Sequence, residues 1–210
     1  MTTTSDNWQI LIKEKQYNDL IMEWNKKINL VSRKKTDILD LIEDSHLFLD
    51  YMTFKPGIKV LDLGTGGGLP GIVLAIHHPE AQFVLIDSIT KKVKVTGDII
   101  TKMNLSNARA ICTRAEELIT DNSADTHHMR IDPNPNIISA RSFDYVVARS
   151  VAVLQDLAVW SKELIKAGGK LVSVKGGDLS GEVHAARKLK FVKKVEQFDR
   201  GARKVIVVSF

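Results

Sequence analysis

The spacing of apolar positions changes near Pro56-Gly57. Before that point Tyr17, Leu20, Ile21, Trp24 and Ile28 recur at steps of three and four, and Ile38, Leu41, Ile42, Ser45, Leu49 and Met52 do so again. That period predicts two amphipathic helices. They are joined by the turn-rich stretch NKKINLVSRKKTD, with Thr36 as the expected N-cap of the second helix. After Gly57 the pattern shortens to β-rich runs separated by helical stretches: IKVLDLG, QFVLIDS, NARAICT, FDYVVARS, GGKLVSVKGG, KFVKKVEQF and RKVIVVSF. Alternating strand and helix predicts a mostly parallel sheet covered on both faces. The last two runs have no helix between them and should pair as an antiparallel hairpin at one edge. The reading is therefore an α/β, doubly wound, seven-stranded domain over 57–210, preceded by a helical subdomain over 1–56. Residues 120–139, TDNSADTHHMRIDPNPNIIS, break the pattern and are expected to form a long surface loop.

Composition narrows the class. The 210 residues include a single cysteine, Cys112, which excludes a disulfide framework and a four-cysteine zinc site. No apolar run is long enough to cross a bilayer, and the N-terminus MTTTSDNWQILIKEKQ lacks the basic and apolar regions of a secretory signal. A soluble, cytoplasmic protein without membrane partners is expected. The net charge of +5 is spread unevenly: residues 162–204 carry twelve Lys or Arg against five Asp or Glu, and five of the ten residues from Lys26 to Lys35 are basic. Such faces suit a polyanion, although a merely solvated lysine surface reads the same way.

The chemistry concentrates at VLDLGTGGGLPGIVLA, residues 60–75. A strand ends, glycines make a turn, and Pro70 stands where the first residue of the next helix should be. Glycines permit close approach of the backbone to a ligand, and the following helix N-terminus faces it. Gly66, Gly68 and Gly71 formally satisfy the dinucleotide fingerprint, a weak signal alone. The other register, running from Asp62 through Gly64, Gly66 and Gly68, puts an acid at the strand end beside the ligand, where it suits an ammonium group and repels a pyrophosphate. Asp87, closing the second strand, is placed to hold ribose hydroxyls. Together these features favour S-adenosylmethionine over a nicotinamide dinucleotide.

In order and spacing, VLDLGTGGGLPGIVLA, FVLIDSITKKVK, TRAEEL, YVVARSVAVL and VSVKGG resemble the RsmG (GidB) family of small-subunit ribosomal RNA methyltransferases. EWNKKINLVS and GARKVIVV extend the resemblance over nearly the whole chain. It implies a class I methyltransferase-like fold and methyl transfer from S-adenosylmethionine to N7 of one guanine in 16S rRNA. The substrate would be small-subunit rRNA, naked or in an assembling subunit. The resemblance also implies that Gly64 and Leu69 line the methionine and ribose part of the cofactor site. Asp87 would hold the ribose, and Ala115 with Glu116 would border the adenine. Arg149 would stand in the cofactor and substrate cleft, and Lys175 and Arg203 would face rRNA, joining Lys26, Lys27 and Arg33 of the basic linker. The family's His ahead of the Asp-Ser pair in the second helix is missing, since Leu41, Ile42 and Glu43 precede Asp44-Ser45, which leaves that helix with packing as its expected role.

The residues agree with an N7 target. No Asn/Asp-Pro-Pro-aromatic turn, of the kind used on exocyclic amines, follows the fourth strand; Arg149-Ser150-Val151 stands there, and DPNPN at 132–136 lies within the loop. Cys112 is expected to be a small buried thiol and no nucleophile. Guanine N7 offers a lone pair and no proton, so Arg149 and Lys175 are expected to position the reactants without a general base. No metal is expected, because neither His77-His78 nor His127-His128 has a carboxylate or cysteine at ligand spacing. Trp24 and Trp160 read as core residues, and Glu116-Glu117 as cofactor contact with helix-dipole complementation rather than an acid-base pair. A nicotinamide oxidoreductase and a non-catalytic RNA-binding module remain the alternatives, and nothing in the chain speaks to its oligomeric state.

Overall fold

The computed structural model describes residues 4–119 and 139–210. The expected loop with DPNPN and His127-His128 falls outside the described residues, Ser139 excepted. Helix α1 (Thr4–Asn25) and helix α2 (Leu39–His46) come first, and a short 3-10 turn, Leu49–Tyr51, follows. Then come β1 (Lys59–Leu63), α3 (Gly71–His77), β2 (Gln82–Asp87), α4 (Thr90–Lys102) and β3 (Ala108–Cys112). Past the 3-10 turn Glu116–Ile119 lie β4 (Phe143–Arg149), α5 (Leu154–Ser161), β5 (Ile165–Gly176), α6 (Ser180–Arg187), β6 (Lys194–Arg200) and β7 (Arg203–Ser209).

The seven strands form one sheet in the order β3-β2-β1-β4-β5-β7-β6. The first five pair in parallel, and β7 is antiparallel to both β5 and β6. The predicted hairpin exists, with β7 inserted beside β5 and β6 left at the edge.

Alternation along the strands divides the core between the two faces of the sheet. Val60, Phe83, Leu85, Val147 and Val172 pack with Tyr17, Ile21, Ile42, Ile72 and Ile99, so α1 to α4 cover one face. Leu61, Leu63, Val84, Val146 and Leu171 pack with Leu154, Leu157 and Val183 beneath α5 and α6 on the other. The N-terminal helices thus share the core of the face they cover.

Two local details depart from the pattern-based reading. The second helical stretch breaks after His46, and its N-cap is Ile38 in place of Thr36. The Ile38 amide is instead satisfied by Asn18 Oδ1 at 2.9 Å and that of Leu39 by Asp37 Oδ1 at 3.2 Å, so side chains from α1 and the linker do the capping. Asn25, buried at the end of α1, accepts from the Leu30 and Val31 amides at 2.9 and 3.0 Å. That fixes the course of the basic linker, on which Lys26, Lys27 and Arg33 are exposed.

Candidate active site

Strand order reverses between β1 and β4, the point where an open parallel sheet leaves a crevice beyond the carboxyl ends of its strands. A cavity of about 360 Å³ lies there, lined by Gly64 after β1, Asp87 at the end of β2, Ala115 and Glu116 after β3, and Arg149 at the end of β4. Five of the residues singled out in the sequence thus meet in one cleft.

The glycine turn before α3 is held from four directions. Tyr17 on α1 donates its hydroxyl to Gly67 O at 3.0 Å, and Thr96 on α4 donates to Gly66 O at 3.0 Å. The Gly66 amide donates to Asp87 Oδ2 at 3.0 Å, and the Gly71 amide to Asp62 Oδ2 at 2.9 Å. Backbone groups that a tight turn leaves unsatisfied inside itself are thereby satisfied from outside, which fixes the shape of the cleft floor. Gly64 has φ +68°, and a Cβ there would sit 2.7 Å from Val151, itself on the cavity wall. A side chain at this position is excluded by both strain and space.

Several expectations need correction. Asp62 does not stand open at the strand end. It lies within β1, fully buried, on the face covered by α1 and α3, because its neighbours Leu61 and Leu63 take the other face. Its Oδ2 accepts from Thr65 Oγ1 at 2.6 Å as well as from Gly71, so it braces the turn from below. Burial pushes its carboxyl up to about 6, against the pull of Thr65, Gly71 and Arg149. Leu69 is buried in the core beneath the helices, a Cβ on Gly68 would run into Ile72, and neither residue lines the cavity. Gly66 is joined to the site through its amide, which donates to Asp87. Pro70 precedes α3 as its N-cap, one position earlier than expected.

Lys175 is committed inside the fold, and Arg203 is held by a carboxylate while its side chain stays 39 % exposed. Lys175, its side chain 11 % exposed, donates to Glu182 Oε2 and Ala152 O, both at 2.6 Å. A lysine this buried needs a carboxylate, and the pair joins β5 to α6. Arg203 is paired with Asp44, giving α2 a tie to the sheet that the packing-only reading missed. Cys112 is exposed, because it ends β3, the edge strand, where the covering helices stop.

The structure adds residues that the sequence reading passed over. Trp160, read as core, is half-buried on the cavity wall, and Lys92, Thr113 and Val151 line it too. Ser150, directly after Arg149, has φ +54°, a conformation non-glycine residues rarely adopt. No sequence signal marks Trp160, whose apolar neighbours hide it. Spacing along the chain also hides a contact of His77, which meets Glu14, remote in sequence, at 2.8 Å.

A sheet ordered β3-β2-β1-β4-β5-β7-β6, with β7 antiparallel between β5 and β6 and a cleft between β1 and β4, is a class I methyltransferase-like fold. Solved structures agree on the fold. An S-adenosylmethionine-dependent O-methyltransferase from Thermotoga maritima superposes with a TM-score of 0.59 at 14 % identity, covering 80 % of this chain and 64 % of its own. A ribosomal protein L11 methylase from Lactobacillus delbrueckii gives 0.57 at 16 %, covering 81 % and 78 %. The chain belongs to the GidB family, described as rRNA small subunit methyltransferase G, whose model matches residues 11–204. Curated relatives of the name Ribosomal RNA small subunit methyltransferase G include one from Pelodictyon phaeoclathratiforme, 41 % identical over 82 % of this chain and 68 % of its own length. Another, from Chlorobium luteolum, is 42 % identical over 81 % and 64 %. The alignments thus span about two thirds of these relatives.

Proposed function

We propose that this protein transfers a methyl group from S-adenosylmethionine to N7 of a guanine in 16S rRNA. The carrying observation is the convergence of Gly64, Asp87, Ala115, Glu116 and Arg149 on one cleft in a chain of this family. When bound, S-adenosylmethionine supplies an electrophilic methyl that an N7 lone pair takes directly, leaving a neutral thioether and a cationic base.

The residues fit that cofactor. Asp62 Oδ1 and Arg149 Nε are buried and have no hydrogen-bond partner among the described residues. Such orphans are costly: Arg149 stands on the cavity wall, where a ligand carboxylate can take its Nε–H, whereas Asp62 Oδ1 is closed beneath the turn, which must part before a ligand ammonium reaches it. Asp87 keeps lone pairs for the ribose hydroxyls: its Oδ2 accepts from Gly66, its Oδ1 from Ile89 at 2.9 Å, and each oxygen can accept again. Ala115 and Glu116 border the adenine end.

What remains for the protein is positioning. Arg149, a permanent cation with a planar fork, orients carboxylate, phosphate or the guanine O6 without taking a proton. Lys26, Lys27 and Arg33, exposed on the linker, engage the RNA backbone. Among the described residues no helix is long and apolar enough to cross a membrane, and a protein acting on rRNA works in the cytoplasm.

The test is transfer of labelled methyl from S-adenosylmethionine to rRNA or small subunits taken from a strain lacking the protein, with the modified nucleotide mapped. Label on guanine N7 supports the reading. Tight binding of NAD with no transfer points to an oxidoreductase, and RNA binding without transfer to a non-catalytic module.

A further inference from the structure

Three helices bring one donor each to a point far from the cleft. Glu14 on α1 is 7 % exposed, and its Oε1 lies 2.6 Å from Nε2 of His46 and 2.8 Å from Nε2 of His77. His46 is the last residue of α2 and His77 the last of α3. The three ligand atoms lie within 4.8 Å of one another, and the two imidazoles meet edge to face with centroids 5.0 Å apart.

A carboxylate buried to this degree needs a compensating charge. Among the described residues Glu14 has no lysine or arginine in ion-pair reach; its partners are two imidazoles, which are charged only when protonated. A divalent cation supplies that charge permanently. Two imidazole nitrogens and one carboxylate oxygen are a donor set that suits zinc well, and three protein ligands leave a fourth position for water. The way in is open: the His46 side chain is 38 % exposed, and a cavity of about 430 Å³ walled by Gln9, Ile10 and Ile76 reaches His77.

We propose that Glu14, His46 and His77 bind a zinc-class divalent cation that staples α1 and α2 to α3. Tetrahedral ligands at zinc distances stand about 3.3 Å apart, so the oxygen, now 2.6 Å from His46 and 2.8 Å from His77, must draw back by about 0.7 and about 0.5 Å. Rotation of the Glu14 side chain supplies that movement. The protons now held between carboxylate and imidazoles leave as the ion enters, and each Nε2 lone pair turns to the metal. The role is structural. α3 is seven residues long, so about 9 Å of helix rise separates this point from the glycine turn. Pinning the far end of α3 holds α1, and hence Tyr17, against that turn.

The experiment uses the full chain without an affinity tag, stripped by a chelator and titrated with zinc sulfate by calorimetry, with bound metal counted by elemental analysis. One equivalent per chain is expected, with a dissociation constant of about 1 µM or tighter. H46A and E14Q should each weaken it by at least about tenfold, while H78A, altering the neighbour outside the cluster, leaves it unchanged. Zinc should also raise the melting temperature of the wild type and not that of H46A. Zinc binding weaker than about 100 µM in the wild type overturns the proposal without recourse to any variant. So does tight binding that survives in both H46A and E14Q. If E14Q fails to fold, the half-exposed H46A and the wild-type stoichiometry still decide.

Discussion

Arg203 on β7 donates its Nε to both carboxylate oxygens of Asp44 on α2, at 2.8 and 2.9 Å, across 159 positions of sequence. Asp44 is nearly buried while the Arg203 side chain is 39 % exposed, so the bond is charge-assisted on one side and screened on the other. Removing either partner should cost about 1 to 2 kcal/mol. Removing both should cost less than the sum, with a coupling energy of about 1 kcal/mol in a double-mutant cycle of D44A and R203A read by urea denaturation. Strict additivity would mean that the pair contributes nothing.

On the proposed function Asp87 has two duties, holding the ribose and the Gly66 amide, and its replacement should show both. D87A loses the ribose acceptors and releases the Gly66 amide that shapes the turn. Binding of S-adenosylhomocysteine, measured by calorimetry, should weaken by about ten- to a hundredfold. Unchanged affinity in a folded variant removes Asp87 from the cofactor site.

The internal pairing of Lys175 with Glu182 moves the expected RNA contacts toward the linker. For a largely single-stranded target each phosphate contact contributes about −0.7 to the slope of log affinity against log salt. A triple variant of Lys26, Lys27 and Arg33 to alanine should therefore flatten that slope by about 2. K175A should instead lower stability and leave the slope alone. Filter binding between low and physiological salt distinguishes the two; an unchanged slope in the triple variant assigns those cations to solvent.

The contrast marks what the sequence could convey. A period reports which face of an element is apolar, and a strand end followed by glycines reports a crevice, so the sheet, the turn and the position of Asp87 were legible, while Ala115, Glu116 and Arg149 were implied by the resemblance to the family. What packs across from a residue is not written in its neighbours. The partners of Lys175, seven residues on, and of Arg203, far back on α2, come from the fold. Asp62 was misplaced because the glycine pattern suggests a strand end, while the alternation of β1 turns its side chain under the helices. Glu14, His46 and His77 fit no ligand spacing because three separate helices bring them together.

Buried Asp62 should make cofactor binding proton-linked. Burial, partly offset by Thr65, Gly71 and Arg149, lifts its carboxyl from an ordinary 3.8 to about 6 in the folded protein. The native state thus holds this proton more tightly than the unfolded chain. Ionised Asp62 therefore costs stability above pH 6, up to about 3 kcal/mol, and the cost fades as pH falls through about 6 toward 3.8. A ligand ammonium draws the carboxyl back down, so binding at pH near 6 should release a proton and strengthen as pH rises. Calorimetry of S-adenosylhomocysteine binding in buffers of different ionisation enthalpy measures that release directly. Wild type should release a substantial fraction of one proton and D62N almost none; equal values exclude Asp62 as the ammonium partner.

Once the cofactor is bound, that proton is gone and the chemical step should need no other. Guanine N7 is unprotonated near neutrality, and arginine keeps its proton throughout, so Arg149 acts as a fixed charge. The product base is cationic, and a positive group against it would oppose reaction, so Arg149 must engage carboxylate, phosphate or O6. R149K keeps the charge and loses the planar fork, and should lose much of the activity. The single-turnover rate constant at saturating cofactor and RNA should be nearly flat from about pH 6 to 8.5, while the rate at low cofactor falls toward pH 6 with Asp62. This split between the two conditions separates a binding proton from a catalytic one. A tenfold rise per pH unit at saturation would require a proton to be removed in the reaction, and would move the target from N7 to an amine or a hydroxyl.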